Sequence, residues 1–258
     1  MTALDLHRWE SGAGPAVVCV HETGVSSEVW RPLAAALGDR ALAIAFDRRG
    51  WGRSEAPQPY TRTTVHEQAE DLARIVAETA AAPAVLCGAG LGAVAALDLA
   101  LHRPALARAA VLIEPPILAF VEEATELLSE DAVALRDAVE GGGPAAGVEL
   151  YLGGGLPALG PGAERLPDRP RTAARERPLS LFAELAAVSS WSLPLAEMAG
   201  NRVPARIVVL ETSPPLLRRA AEALSGRLAE SRMHELDGPG PSHNDHAEGV
   251  ATLIGELL

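Results

Sequence analysis

The chain has 258 residues, 48% of them hydrophobic, enough to bury a full core, and α/β chains of this size are commonly one domain. Its formal net charge of −12 argues against nucleic acid or an anionic membrane as a partner, since both attract clustered Lys and Arg. No basic segment followed by an apolar run opens the chain, and no apolar run is long enough to span a bilayer. Two cysteines, Cys19 and Cys87, lie in apolar runs as reduced core thiols do, so a cytoplasmic protein is expected.

In chain order, Leu4 to Trp9 reads as a half-polar strand and Ala16 to Val20 as a buried one ending at His21. Trp30 to Leu37 reads as a helix, Leu42 to Phe46 as a strand ending in Asp47, and Val65 to Ala80 as an amphipathic helix. Val85 to Cys87 is a strand that runs into glycines at 88, 90 and 92, followed by a helix from Ala93 to Leu101. Ala109 to Ile113 is the next strand and ends at Glu114. Apolar strands alternating with helices indicate a mostly parallel, doubly wound sheet covered on both faces.

After Pro115-Pro116 the alternation stops. Residues 117–200 hold only helix-prone stretches, such as Glu122 to Val139 and Leu181 to Ser190. Gly141 to Pro144 and Gly153 to Gly162 read as breaks between them. Strands resume at Ile207 to Leu210 and Met233 to Leu236, with helices from Leu216 to Leu228 and Ala247 to Leu258. The expected division is core 1–116, a helical cap at 117–200, and core again at 201–258.

Four segments together resemble the α/β-hydrolase fold over nearly the whole length. His21-Glu22-Thr23-Gly24 stands where that family has its His-Gly oxyanion loop. Asp47-Arg48-Arg49-Gly50-Trp51-Gly52-Arg53-Ser54 resembles its D-x-R-G-x-G-x-S turn. Gly88 to Gly92 has the strand–turn–helix setting of the G-x-S-x-G nucleophile elbow, and 117–200 stands for the cap. The resemblance implies a catalytic triad, and each position departs from it. Gly90 occupies the nucleophile position, Ser213 the usual acid position and Pro241 the base position. His243 and His246 follow shortly after.

Covalent acyl transfer needs a nucleophile beside a base. Of that machinery only the oxyanion donors remain, the N–H groups of Leu91 and Thr23. Donors without a nucleophile suit proton transfer α to a carbonyl, elimination or cyclisation. Glu114, in an apolar pocket with a raised pKa, is one candidate base and His243 the other. Glu22, Thr23, Gly90, Leu91, Trp30, Trp191 and His246 are candidate substrate contacts. No metal or cofactor is expected, and the partner is a small molecule or modified peptide.

In size and in loss of the elbow serine and the histidine, the chain is also similar to a small group of nucleophile-lacking α/β-hydrolase-fold enzymes. Those act on bottromycin-type peptides, epimerising an aspartate beside a thiazoline. That likeness implies an epimerase of natural-product biosynthesis. A hydrolase with relocated catalytic residues and a catalytically silent binding protein stay open. So does a dinucleotide-binding protein, because Gly88 to Ala93 also satisfies G-x-G-x-x-A with Glu114 ending the next strand.

Overall fold

The computed structural model describes residues 4–238, 240 and 242–258. Among the described residues seven strands form one sheet: β1 (Arg8–Gly12), β2 (Ala16–Val20), β3 (Leu42–Phe46), β4 (Ala84–Ala89), β5 (Ala107–Ile113), β6 (Ala205–Leu210) and β7 (Ser231–Leu236). Their order across the sheet is β1-β3-β2-β4-β5-β6-β7. Only β1 is antiparallel to its neighbour; every other pairing is parallel. The expected fold, a mostly parallel doubly wound sheet with helices inserted before its last strands, is the fold observed.

The helices are α1 (Arg31–Leu37), α2 (Val65–Glu78), α3 (Leu91–His102), α4 (Ala124–Leu152), α5 (Asp168–Glu176), α6 (Pro178–Ser189), α7 (Leu195–Gly200), α8 (Pro215–Ser225) and α9 (Ala247–Gly255). They cover two apolar layers, one on each sheet face. Leu72, Ile75, Val94 and Leu97 pack on one face with Val18, Leu86 and Leu112. Leu33, Leu37, Val250 and Ile254 pack on the other with Val17, Val85 and Val111. Cys19 and Cys87 are buried, unbridged and in register on β2 and β4. Among the described residues no helix is long and apolar enough to cross a membrane.

Two sequence expectations need correction. The first strand begins at Arg8 rather than Leu4, because pairing with β3 starts there. Trp30 closes a 3₁₀ turn (Ser27–Trp30), and the helix starts at Arg31, with Pro32 in its first turn. The expected break at 141–144 lies inside the α4 span. Two helical stretches meet there at a kink, where Gly143 adopts φ 74° and ψ −177°, and Pro144 opens the second.

The strand order reverses direction between β2 and β4. The connection after β2 leads to one edge of the sheet and that after β4 to the other. Their carboxyl ends therefore leave a crevice, the usual ligand position in an open α/β sheet. Glu22 follows β2 and Gly90 follows β4, so this topology brings them together.

Close backbone approach at this point depends on glycine. A Cβ on Gly92 would fall onto the Val20 and His21 carbonyl oxygens, and one on Gly88 onto the Gly92 carbonyl. Rigid backbone on both sides leaves no room to relax. Gly92→Ala is expected to destabilise by at least the ~1–3 kcal/mol typical of overpacking, read as a lowered Tm or loss of soluble protein.

Candidate functional site

Gly90 sits at the tip of the turn between β4 and α3 with φ 53° and ψ −125°. A positive φ strains any residue with a side chain, and glycine relieves it. The turn between β4 and α3 therefore carries no side chain at its tip. A Cβ built on Gly90 would stand 3.0 Å from the Glu22 Cβ, so the side chain nearest the vacant nucleophile direction belongs to Glu22.

The cavity above this turn has a volume of about 400 Å³. Glu22, Thr23, Gly90, Leu91 and Glu114 form its floor at the sheet end. Its walls come from the inserted helices and their loops, including Ile117, Leu128, Tyr151, Leu185 and Trp191. Apolar walls around a few polar groups suit a small organic ligand. Leu91 begins α3, so the positive end of that helix's dipole lies at the floor.

Glu22 keeps 18% of its side chain exposed, into this cavity, and its Oε1 lies 3.5 Å from Nδ1 of His243. Burial, followed by the neighbouring Glu114 charge, pushes its carboxyl up to about 8, against the opposing pull of Arg165 and Arg48. His243 is enclosed, with its ring centroid 4.8 Å from that of Trp30. Burial and the charge of Arg165 lower it to about 4, so it is a neutral imidazole near pH 7. Both Glu22 Oε1 and His243 Nε2 are buried without a hydrogen-bond partner among the described residues.

Glu114 occupies a different environment. It takes φ 46°, and its Oε1 accepts from both Nη1 and Nη2 of Arg165, each at 2.9 Å. The Ser213 hydroxyl donates to the same oxygen. Ser213 Oγ also accepts the Leu210 N–H at 2.7 Å. Glu114 is a salt-linked anchor; burial raises the carboxyl of Glu22. Sequence reasoning pointed to Glu114 because it ends a strand, whereas burial depends on the loops folded over each group.

Two further candidates move. Trp30 lies in the core, 1% exposed, and reaches the site only through His243. His246 is buried beside its own loop, Nε2 lying 2.9 Å from the Gly240 carbonyl, and is not in the cavity wall. His243 itself does not line the cavity; it backs Glu22. Pro241, in the base position, lies outside the described residues.

Glu184 on α6 was missed, since nothing in the sequence ties one glutamate of an apolar helix to a distant turn. It is 1% exposed and accepts from Arg48 Nη2 at 2.9 Å, with Arg48 Nη1 on its other oxygen. It also accepts from Trp51 Nε1 at 2.7 Å and Thr23 Oγ1 at 2.8 Å. Arg48 in turn donates Nε–H to the His21 carbonyl, and its backbone N–H to His21 Nε2 at 3.0 Å. His21 Nδ1, 2.7 Å from the Glu22 carbonyl, is then the protonated nitrogen. Burial, helped by Arg48, lowers His21 to about 3 and keeps it neutral.

Residues 17–253 match the family described as the alpha/beta hydrolase family. The chain belongs to the α/β hydrolase family. It is similar to 2-(acetamidomethylene)succinate hydrolase of Mesorhizobium japonicum, 33% identical over 63% of this chain and 56% of the relative. It is also similar to an epoxide hydrolase of Caballeronia sordidicola, 38% identical over 39% of this chain and 31% of the relative. The chain thus spans about half or less of these relatives' lengths. Among solved structures, the enol-lactonase of Burkholderia xenovorans LB400 superposes with TM-score 0.73 at 20% identity, covering 98% of this chain and 96% of that one. An esterase of Thermogutta terrifontis gives 0.75 at 19% identity, covering 98% and 92%. These two establish the shared fold. The relatives are hydrolases, which favours a hydrolytic reading over epimerisation.

Two outcomes follow from the charges. Glu184→Gln leaves Arg48 buried without its ion partner and is expected to cost ~3–5 kcal/mol in denaturant unfolding. Paired replacement by Arg48→Met and Glu184→Met is expected to cost less than the two single changes added. For Glu22 the folded carboxyl, at about 8, lies above its ordinary 4.5. Its contribution to stability is complete below about 4.5 and is lost as pH rises through about 8. Glu22→Gln should therefore leave Tm nearly unchanged at pH 4.5 and raise it relative to the parent at pH 9, by differential scanning calorimetry.

Proposed function

We propose that this protein hydrolyses a small, largely apolar ester, lactone or epoxide without a covalent intermediate on the elbow, using Glu22 to activate water. The carrying observation is the position of Glu22 beside the empty Gly90 elbow, at the floor of an apolar cavity. A water beside that carboxylate takes the place the side-chain nucleophile vacates. Glu22 accepts the water proton as the hydroxide adds to the substrate carbon; the C–O bond to the leaving oxygen then breaks, and that oxygen takes the proton back from Glu22. Backbone N–H donors at the start of α3 stabilise the developing oxyanion. Neutral His243 behind Glu22 supports the carboxylate without competing as a cation. The hydrolase relatives support the reaction class.

A base of this kind works only as carboxylate, so turnover should rise with pH through about 8. Assays over a panel of p-nitrophenyl esters, lactones and epoxides are expected to show slow turnover without a burst, lost in Glu22→Gln. In single turnover with ¹⁸O water, label should enter product only. Label in the Glu22 carboxyl would make it the nucleophile and overturn the water mechanism. A pH profile that falls through 8 would make Glu22 an acid instead.

One observation also favours proton transfer α to a carbonyl, as in epimerisation of a modified peptide. A carboxyl raised to about 8, with no attacking side chain at Gly90, is matched to taking a carbon-bound proton. Deuterium wash-in from D₂O at a substrate Cα, with no hydrolysis product, would select that reading. Tight binding with neither reaction would select the silent binding protein.

A further inference from the structure

We infer that the outer face of α2 and α3, away from the cavity floor, carries a divalent-metal site of the zinc class, formed by His66, Asp98 and His102. Asp98 and His102 are one helical turn apart on α3, and His66 comes from the first turn of the packed neighbour α2. One ligand atom from each of the three lies within 4.8 Å of the others. His66 Nδ1 is 3.1 Å from Asp98 Oδ2, and His102 Nδ1 is 3.4 Å from Asp98 Oδ1.

Metal–ligand bonds of ~2.0–2.1 Å put neighbouring ligand atoms about 3.3–3.4 Å apart. The two imidazoles face different oxygens of Asp98, and His102 Nδ1 also donates to the Asp98 carbonyl at 2.9 Å. To bind a cation, the two rings must turn and draw together onto the carboxylate. Both can, because their side chains are 61% and 39% exposed, while the Asp98 carboxylate between them is 2% exposed. Two imidazoles and one carboxylate suit a borderline divalent cation such as Zn²⁺, with water completing the shell.

The surroundings resemble the outer support of a metal site. Trp191 Nε1 donates to Asp98 Oδ1 at 2.9 Å, fixing the carboxylate. Glu70 Oε1 stands 3.8 Å from His66 Nε2, and its other oxygen accepts from Arg103 at 2.6 Å. Trp191 also lines the cavity. A cation here therefore stiffens the tether that holds that wall residue to α3. The ordinary alternative is a buried carboxylate sharing hydrogen bonds with two surface histidines and no metal.

Zinc alone serves as the probe. Calorimetric titration of Zn²⁺ into the chelator-treated protein is expected to show one saturable equivalent and a raised Tm. The double variant His66→Ala/His102→Ala removes exposed rings only, so its metal-free Tm should stay close to the parent's. Its zinc affinity should fall by about tenfold or more, and the zinc-induced Tm rise should vanish. Unchanged zinc affinity in the double variant would overturn the assignment, as would the absence of saturable binding in the parent. Should the double variant not fold, His66→Ala alone decides by the same readouts. Zinc affinity and Tm are read without any hydrolytic assay, so the metal site stands or falls independently of the proposed reaction.

Discussion

The buried link between Arg48 and Glu184 holds the two layers of this molecule in one arrangement. Both groups are at 1% exposure, so neither finds water if the other leaves. Each therefore dictates where the element bearing it must lie. Arg48 belongs to the turn after β3, and Glu184 to an inserted helix 136 residues later. Trp51 and Thr23 add donors to the same carboxylate, and Ser180 donates from the same helix to the Gly50 carbonyl. Satisfying one carboxylate with this many donors makes burial tolerable, and it leaves few alternative positions for α6.

That constraint shapes the cavity chemistry. Docking α6 closes the space above β2 and β4, and closure strips water from Glu22. Its high pKa is a consequence of this enclosure and of the Glu114 charge nearby. Arg165 limits the effect, because it neutralises Glu114 and stands opposite both groups. Two carboxyls on one floor are thus divided into a salt-linked anchor and a group whose charge is costly, the separation that acid–base sites commonly use. The vacant elbow matters for the same reason. With no side chain at Gly90, the side chain nearest the tip of the turn is that of Glu22.

Much of the fold was legible in residue order. Five apolar runs between helical stretches implied the parallel sheet. The Asp47 to Ser54 turn and the glycines at 88, 90 and 92 located its two working loops. Element edges were less legible at Leu4 and at Trp30. In the first, strand pairing decides where a half-polar run begins. In the second, a 3₁₀ turn takes up Trp30 before the helix starts at Arg31. Among site residues, Glu22 and Thr23 were placed by their position after β2. Trp30 and His246 were misplaced because an aromatic ring or imidazole in a loop can turn inward or outward with equal local cost.

By itself, the sequence determined the family architecture, the absence of a side chain at Gly90, and the loop that carries Glu22. These are matters of residue type and order, and local backbone chemistry reads them directly. Tertiary structure alone decided which carboxyl is raised and which is paired. It also decided that His243 backs Glu22, and that His66, Asp98 and His102 share one surface. The physical reason is the same in each case. Desolvation and Coulomb energy depend on distances between atoms far apart in the chain, and those distances exist only once α6 has docked and α2 has packed on α3.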